Sequence, residues 1–198
     1  TKDFDTHREQ YGNTAVLSSK DFFYGLGFGI IVMVSILVHE LGHAVAGRRL
    51  GLRPQEILLH GFGGLCRYDR APRGLQGVLV SGAGPAAGLA LGAIALVLGS
   101  TVVGMLPQWA GWVLGTVALI NIFWSLFNLL PMLPLDGGHV VFHALEARWG
   151  VPSALKVVRY ASLGTAALVG FWAFQVGQTF ILIVVALVVM QNLPSRRR

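Results

Sequence analysis

Long apolar runs separated by short polar or basic segments set the pattern of this chain. Runs at roughly 22–46, 77–103, 109–130 and 157–193 are each long enough to cross a bilayer, which takes about 20 residues. The last run is broken at Gln175-Val176-Gly177-Gln178. That break predicts two short spans, about 157–175 and 178–193, joined by a tight turn. About five transmembrane helices follow, the second rich in the Gly and Ala that let helices approach closely. A polar segment, 1–21, precedes them and a basic tail, 194–198, ends the chain. The expected fold is an all-α polytopic membrane protein, with a single integral-membrane domain over 22–193. One stretch, about 55–70, departs from the helical pattern. Its ILLHGFGGLCRY is moderately apolar, mixes β-formers with three glycines and is too short to span. It predicts a re-entrant or interfacial β-like hairpin, which membranes tolerate where the backbone is buried in protein or lines a wet cavity.

Composition agrees with this pattern. The 198 residues are 54% hydrophobic and 12% charged, against about 25% charged in soluble domains. A second globular domain is not expected within these residues. The net charge of +6 raises a nucleic-acid partner, but the arginines cluster between apolar runs and at Arg196-Arg197-Arg198, the distribution of cytoplasmic flanks. Nucleic acid is therefore excluded as a partner, and the bilayer is the expected surroundings. The loop between the first two spans carries Arg48, Arg49, Arg53, Arg67, Arg70 and Arg73; the next loop carries no basic residue; the one after that carries Arg148, Lys156 and Arg159. This alternation predicts an outside N-terminus and a cytoplasmic C-terminus in a cell membrane. The lone Cys66 rules out an intrachain disulfide and a cysteine metal cluster. Residues 1–20 do not resemble a cleaved signal peptide.

Within the first span lies His39-Glu40-Leu41-Gly42-His43. Ionisable groups inside a membrane span are costly and mark function. Positions four apart share a helix face, so both imidazoles can hold one metal ion. Glu40 then lies beside the ion, placed to take a proton from attacking water. A catalytic zinc needs a third protein ligand. His60, Asp69, Asp136, His139 and His143 all lie near span ends on the same side. Asp136 stands out: Pro131 and Pro134 break the third helix before it, and Gly137-Gly138 allow close backbone approach after it. The alternating topology also brings His39, His43 and Asp136 to the same depth. His139 and His143 read as solvated interfacial histidines, His60 as a loop residue and Asn121 as a packing residue.

Together HELGH at 39–43, GAGPAAG at 82–88 and NLLPMLPLDGG at 128–138 resemble the site-2 protease family of intramembrane zinc metalloproteases. The resemblance covers roughly 34–139 and implies a three-helix catalytic core. It implies that His39, His43 and Asp136 bind one catalytic Zn2+ and that Glu40 is the general base and acid. It also implies that Asn128 helps to hold substrate or the developing oxyanion. Gly61, Phe62, Gly63 and Gly64 resemble the family's strand-like segment beside the active site, where an unwound substrate can pair. No PDZ-like or nucleotide-binding regulatory domain is evident. The expected activity is hydrolysis of peptide bonds within or near the transmembrane segment of a single-pass membrane protein, in a host expected to be prokaryotic. Two other readings fit HExxH alone: a membrane metallohydrolase acting on lipidated or signal peptides, and a non-enzymatic metal-binding bundle.

Overall fold

The structure is a computed structural model and describes residues 19–60 and 63–192. Gly61 and Phe62, the segment 1–18 and the tail 193–198 lie outside the described residues. The chain order is α1 (Ser19–Arg49), β1 (Pro54–His60), β2 (Gly63–Tyr68), α2 (Gly74–Val102), a short 3-10 turn (Val103–Met105), α3 (Gln108–Asn128), α4 (Asp136–Gln175) and α5 (Thr179–Asn192). The helical fold with a small hairpin is the one expected. Helices α1 to α4 are long and apolar enough to cross a membrane, whereas α5 contributes a shorter apolar stretch, Ile181–Met190.

The bundle buries polar side chains among small and apolar ones, while many large apolar side chains face outward. Ile31, Ser35, His39, His43 and Gly47, spaced by four along α1, are all buried. Phe22, Phe23, Ile30, Met33 and Leu41 face outward. In lipid, apolar burial alone gives helices little reason to associate, so close packing and internal polar ties hold them together. Helix α2 supplies the packing and contacts α1, α3 and α4. Its Gly77, Gly84, Gly88 and Gly92 are buried. Asn121 supplies one tie, donating from Nδ2 to Ser35 Oγ at 2.8 Å and to Val117 O at 2.9 Å.

The polar stretch expected before the fourth span is itself helical. Helix α4 begins at Asp136 and breaks at Gly150, where φ is +75°. A left-handed residue of this kind favours glycine, and Pro152 follows it as the chain resumes. Helicity starts this early because Gly137 and Gly138 lie against the preceding chain. A Cβ on Gly137 would strike the Leu129 carbonyl, and one on Gly138 would come within 2.6 Å of Leu133 N. Segment 129–135 thus folds over the first turn of α4. Leu133 N donates to Ser162 Oγ at 2.8 Å, and Asn192 Nδ2 donates to Leu133 O at 2.8 Å. Met132 seals the contact with Ala166 and Val188.

The hairpin forms where it is expected. Its strands pair antiparallel from Pro54↔Tyr68 to His60↔Gly63, with an irregularity between Pro54 and Glu56. Arg53 N donates to Asp69 Oδ1 at 3.0 Å, and Asp69 N to Arg53 O at 3.0 Å, closing its base. The Arg53 amide holds the Asp69 carboxyl below the usual aspartate range. Tyr68 bolts the sheet to α1: its ring lies on Gly47 and its hydroxyl donates to His43 O at 2.7 Å. Burial, with the Cys66 thiol beside it, pushes the phenol far above the usual tyrosine range, so the donor persists at any physiological pH. Tyr68→Phe keeps the ring and removes one such bond. A loss of about 1 kcal/mol of stability is expected, read as a lower thermal midpoint in detergent.

Candidate metal centre

Three side chains from two helices converge on one point. His39 Nε2 lies 3.2 Å from His43 Nε2. Asp136 Oδ2 is 2.9 Å from His39 Nε2, and Asp136 Oδ1 is 3.4 Å from His43 Nε2. Among the described residues, these three form the group of metal-ligating side chains close enough to share an ion. His39 and His43 are one turn apart on α1, and Asp136 opens α4. A helix N-terminus favours negative charge, which steadies the carboxylate in this position.

The donor set fits zinc. His43 Nδ1 donates to Val80 O at 2.7 Å, so in the neutral ring the lone pair is on Nε2 and points at the other two ligands. Such an outer hydrogen bond is the usual means of orienting a ligating histidine. Two imidazole nitrogens and a carboxylate facing one another repel unless a cation or proton lies between them. Zinc bonds of about 2.0–2.1 Å in a tetrahedron set ligand atoms about 3.3 Å apart; the two imidazole nitrogens, 3.2 Å apart, are close to that spacing, and a different Asp136 oxygen faces each of them.

Above this group lies bare backbone. A Cβ on Gly84 would strike His43 Nε2 and come within 2.8 Å of His39 Nε2. The spacing Gly84-Pro85-Ala86-Ala87-Gly88 carried a signal for this close approach, since small residues four apart mark helix contacts; that it faces the histidines was not legible. On α1, Gly42 packs against the Ala83 carbonyl, 2.6 Å from where its Cβ would be. Two small residues thus let α1 and α2 meet at the depth of the site.

The remaining candidates divide. Glu40 is buried, 4% exposed, beside His39, and its charge reaches His43, Cys66 and Tyr68. Asn128 is buried at the end of α3 and gives one amide hydrogen to Trp124 O at 2.9 Å. Asp69 is spent on the hairpin base. His60 lies in β1 opposite Gly63, and Gly63 and Gly64 open β2. His139 is exposed, as expected of an interfacial residue. His143 differs: it is buried, its ring seated on Gly77, with Nδ1 2.8 Å from Glu146 Oε1. Glu146 Oε1 also accepts the Gly74 amide at 2.7 Å. This pair therefore caps α2 and locks it to α4. The glycine at 77 makes the pocket for the ring, which explains why the histidine is not solvated.

A helical membrane bundle that presents two histidines and a carboxylate to one ion defines a class of metal-binding membrane proteins. The model of Peptidase family M50 matches residues 27–112 and 106–171, and the chain belongs to that family. Zinc metalloprotease MJ0392 of Methanocaldococcus jannaschii is 29% identical over 175 residues, 87% of this chain and 50% of that protein. Rip3 of Mycobacterium tuberculosis, whose name also carries the words zinc metalloprotease, is 37% identical over 131 residues, 64% of this chain and 33% of that protein. The chain thus spans half or less of these relatives. A solved structure titled Site-2 Protease from Methanocaldococcus jannaschii has the same fold, with a TM-score of 0.65 and 24% identity, covering 82% of this chain and 74% of that one.

Proposed function

We propose that this protein is a zinc endopeptidase of the site-2 type that hydrolyses peptide bonds within or near the transmembrane segment of single-pass membrane proteins. The observation that carries the reading is the convergence of His39, His43 and Asp136 within 3.4 Å of one another at the buried end of α1. Those three residues would hold one zinc ion, which when bound polarises a carbonyl and makes water acidic enough to attack at neutral pH. Glu40 accepts the proton of the attacking water and passes it to the leaving amine. An amide has two N–H donors, so Asn128 can keep its bond to Trp124 and turn the other toward the oxygen that gains charge.

A substrate helix hides its peptide groups in hydrogen bonds and must unwind before cleavage. The hairpin lies against α1, and Gly63 and Gly64 open β2; with Gly61 and Phe62, named from the sequence, they are the segment proposed to pair with an extended substrate. The basic residues that follow α1 and those around the α4 break support an orientation with this end of the bundle at the cytosolic face. The N-terminus is then outside and the C-terminus in the cytosol of a prokaryotic membrane.

The test measures zinc and turnover together. Asp136→Asn and Asp136→Ala are expected to lower zinc affinity more than about tenfold and to abolish cleavage of a transmembrane peptide in detergent. Full zinc occupancy with undiminished turnover in both variants would sink the assignment.

A further inference from the structure

Beyond Glu146 the chain has no aspartate or glutamate, yet it carries Arg148, Lys156, Arg159 and the three terminal arginines. Where α4 resumes after Gly150, a cavity of about 200 Å³ opens between α4 and the end of α5. Lys156, Arg159, Tyr160 and Asn192 are among the residues that line it, together with the apolar Pro152 and Leu163. The α4 positions recur at three and four residues, so they form one stripe on the helix. Among the described residues neither Lys156 nor Arg159 has a carboxylate partner. Further along the same face, Ala167 and Phe174 are exposed.

Two cations with no carboxylate partner among the described residues, and a tyrosine beside an apolar wall, at the end of a membrane-spanning helix, suit a phosphodiester whose acyl chains run along that helix. We propose that this cavity is a headgroup site for an anionic bilayer phospholipid. Basic pockets between transmembrane helices recognise such headgroups through charge-assisted hydrogen bonds. The site also touches the support of the metal centre. Asn192, 3% exposed, gives its amide hydrogens to Leu133 O and Val188 O, and Ser162, one turn beyond Val158, takes the Leu133 amide. A lipid that fills the cavity braces α4 and α5 against segment 129–135, which presents Asp136.

The site is tested on the full chain in neutral detergent, by titration with short-chain phosphatidylglycerol, short-chain phosphatidylcholine and inorganic phosphate. Phosphatidylglycerol is expected to bind more than about tenfold tighter than phosphatidylcholine, and inorganic phosphate is expected not to displace it. Each basic residue is worth about fivefold in such binding. Lys156→Gln combined with Arg159→Gln should therefore weaken it about twentyfold, while Lys156→Arg keeps it. Equal binding of the two lipids, displacement by phosphate, or wild-type binding by the double variant would each overturn the site. Backbone hydrogen exchange over 129–135 should slow when phosphatidylglycerol is added to the wild type and not to the double variant. No slowing in the wild type would overturn the bracing. None of these readouts depends on proteolysis, so they stand or fall separately from the proposed activity.

Discussion

Glu40→Gln is expected to lower kcat for a transmembrane peptide by about 10²–10⁴-fold, the usual worth of a positioned general base and acid. Zinc content is expected to stay at the wild-type level. The two halves of this prediction come from different features. Zinc stays because the three converging ligand atoms belong to His39, His43 and Asp136, and the amide has nearly the size and shape of the carboxylate it replaces at a buried position. Turnover falls because glutamine cannot accept the proton that the attacking water must lose. Substrate binding does not use this proton, so KM should hold while kcat collapses, the signature of an interaction made only in the transition state. Glu40→Asp retains the base but shortens its reach and should fall between the two. Zinc analysis and steady-state cleavage on the same preparations check wild type and both variants. A Glu40→Gln enzyme turning over within about tenfold of wild type would remove Glu40 from the chemistry.

The parts of this protein that were legible in the sequence are those where burial would otherwise be costly. His39, Glu40 and His43 stand out because nothing apolar explains them in a membrane span. Asp136 stands out because Pro131, Pro134, Gly137 and Gly138 surround it with chemistry that bends backbone. The hairpin is visible because glycine and β-formers interrupt the helical pattern. Hydropathy starts the fourth span at about 157, whereas α4 starts at Asp136, because 136–149 mixes polar with apolar residues and packs through Gly137 and Gly138, contacts that no apolarity scale records. It likewise read His143 as solvated, because a pocket made by the missing side chain of Gly77 has no hydropathy. Tyr68 and Val80 escaped for a related reason: what they do depends on a partner's backbone oxygen or on their own. Side-chain identity announces charge and apolarity, whereas close approach is a property of pairs.

That distinction leads to the second large effect. Gly84→Ala adds one methyl group, far from any charge in the sequence, and is expected to lower zinc affinity more than about a hundredfold, beyond what loss of an outer hydrogen bond does. The methyl carbon would strike His43 Nε2 and approach His39 Nε2 to 2.8 Å, occupying the space toward which both lone pairs point. The His43 ring cannot easily yield, because it is held by its 2.7 Å bond to Val80 O on the same helix as Gly84. Gly88→Ala is the matching control, one turn along α2. Its methyl would meet the Ser125 hydroxyl, a terminal atom that can rotate away, and the histidines lie outside its reach. It should loosen the α2–α3 contact, lowering the thermal midpoint, while zinc stays bound. Helix propensity favours the control by about 1 kcal/mol, whereas Gly84 precedes Pro85, where an added Cβ disfavours the helical conformation, so circular dichroism on both variants is used to separate loss of metal from loss of helix. Equal zinc affinity in Gly84→Ala and wild type, measured by competition with a chromogenic chelator, would show that the ion is not held where these three side chains meet.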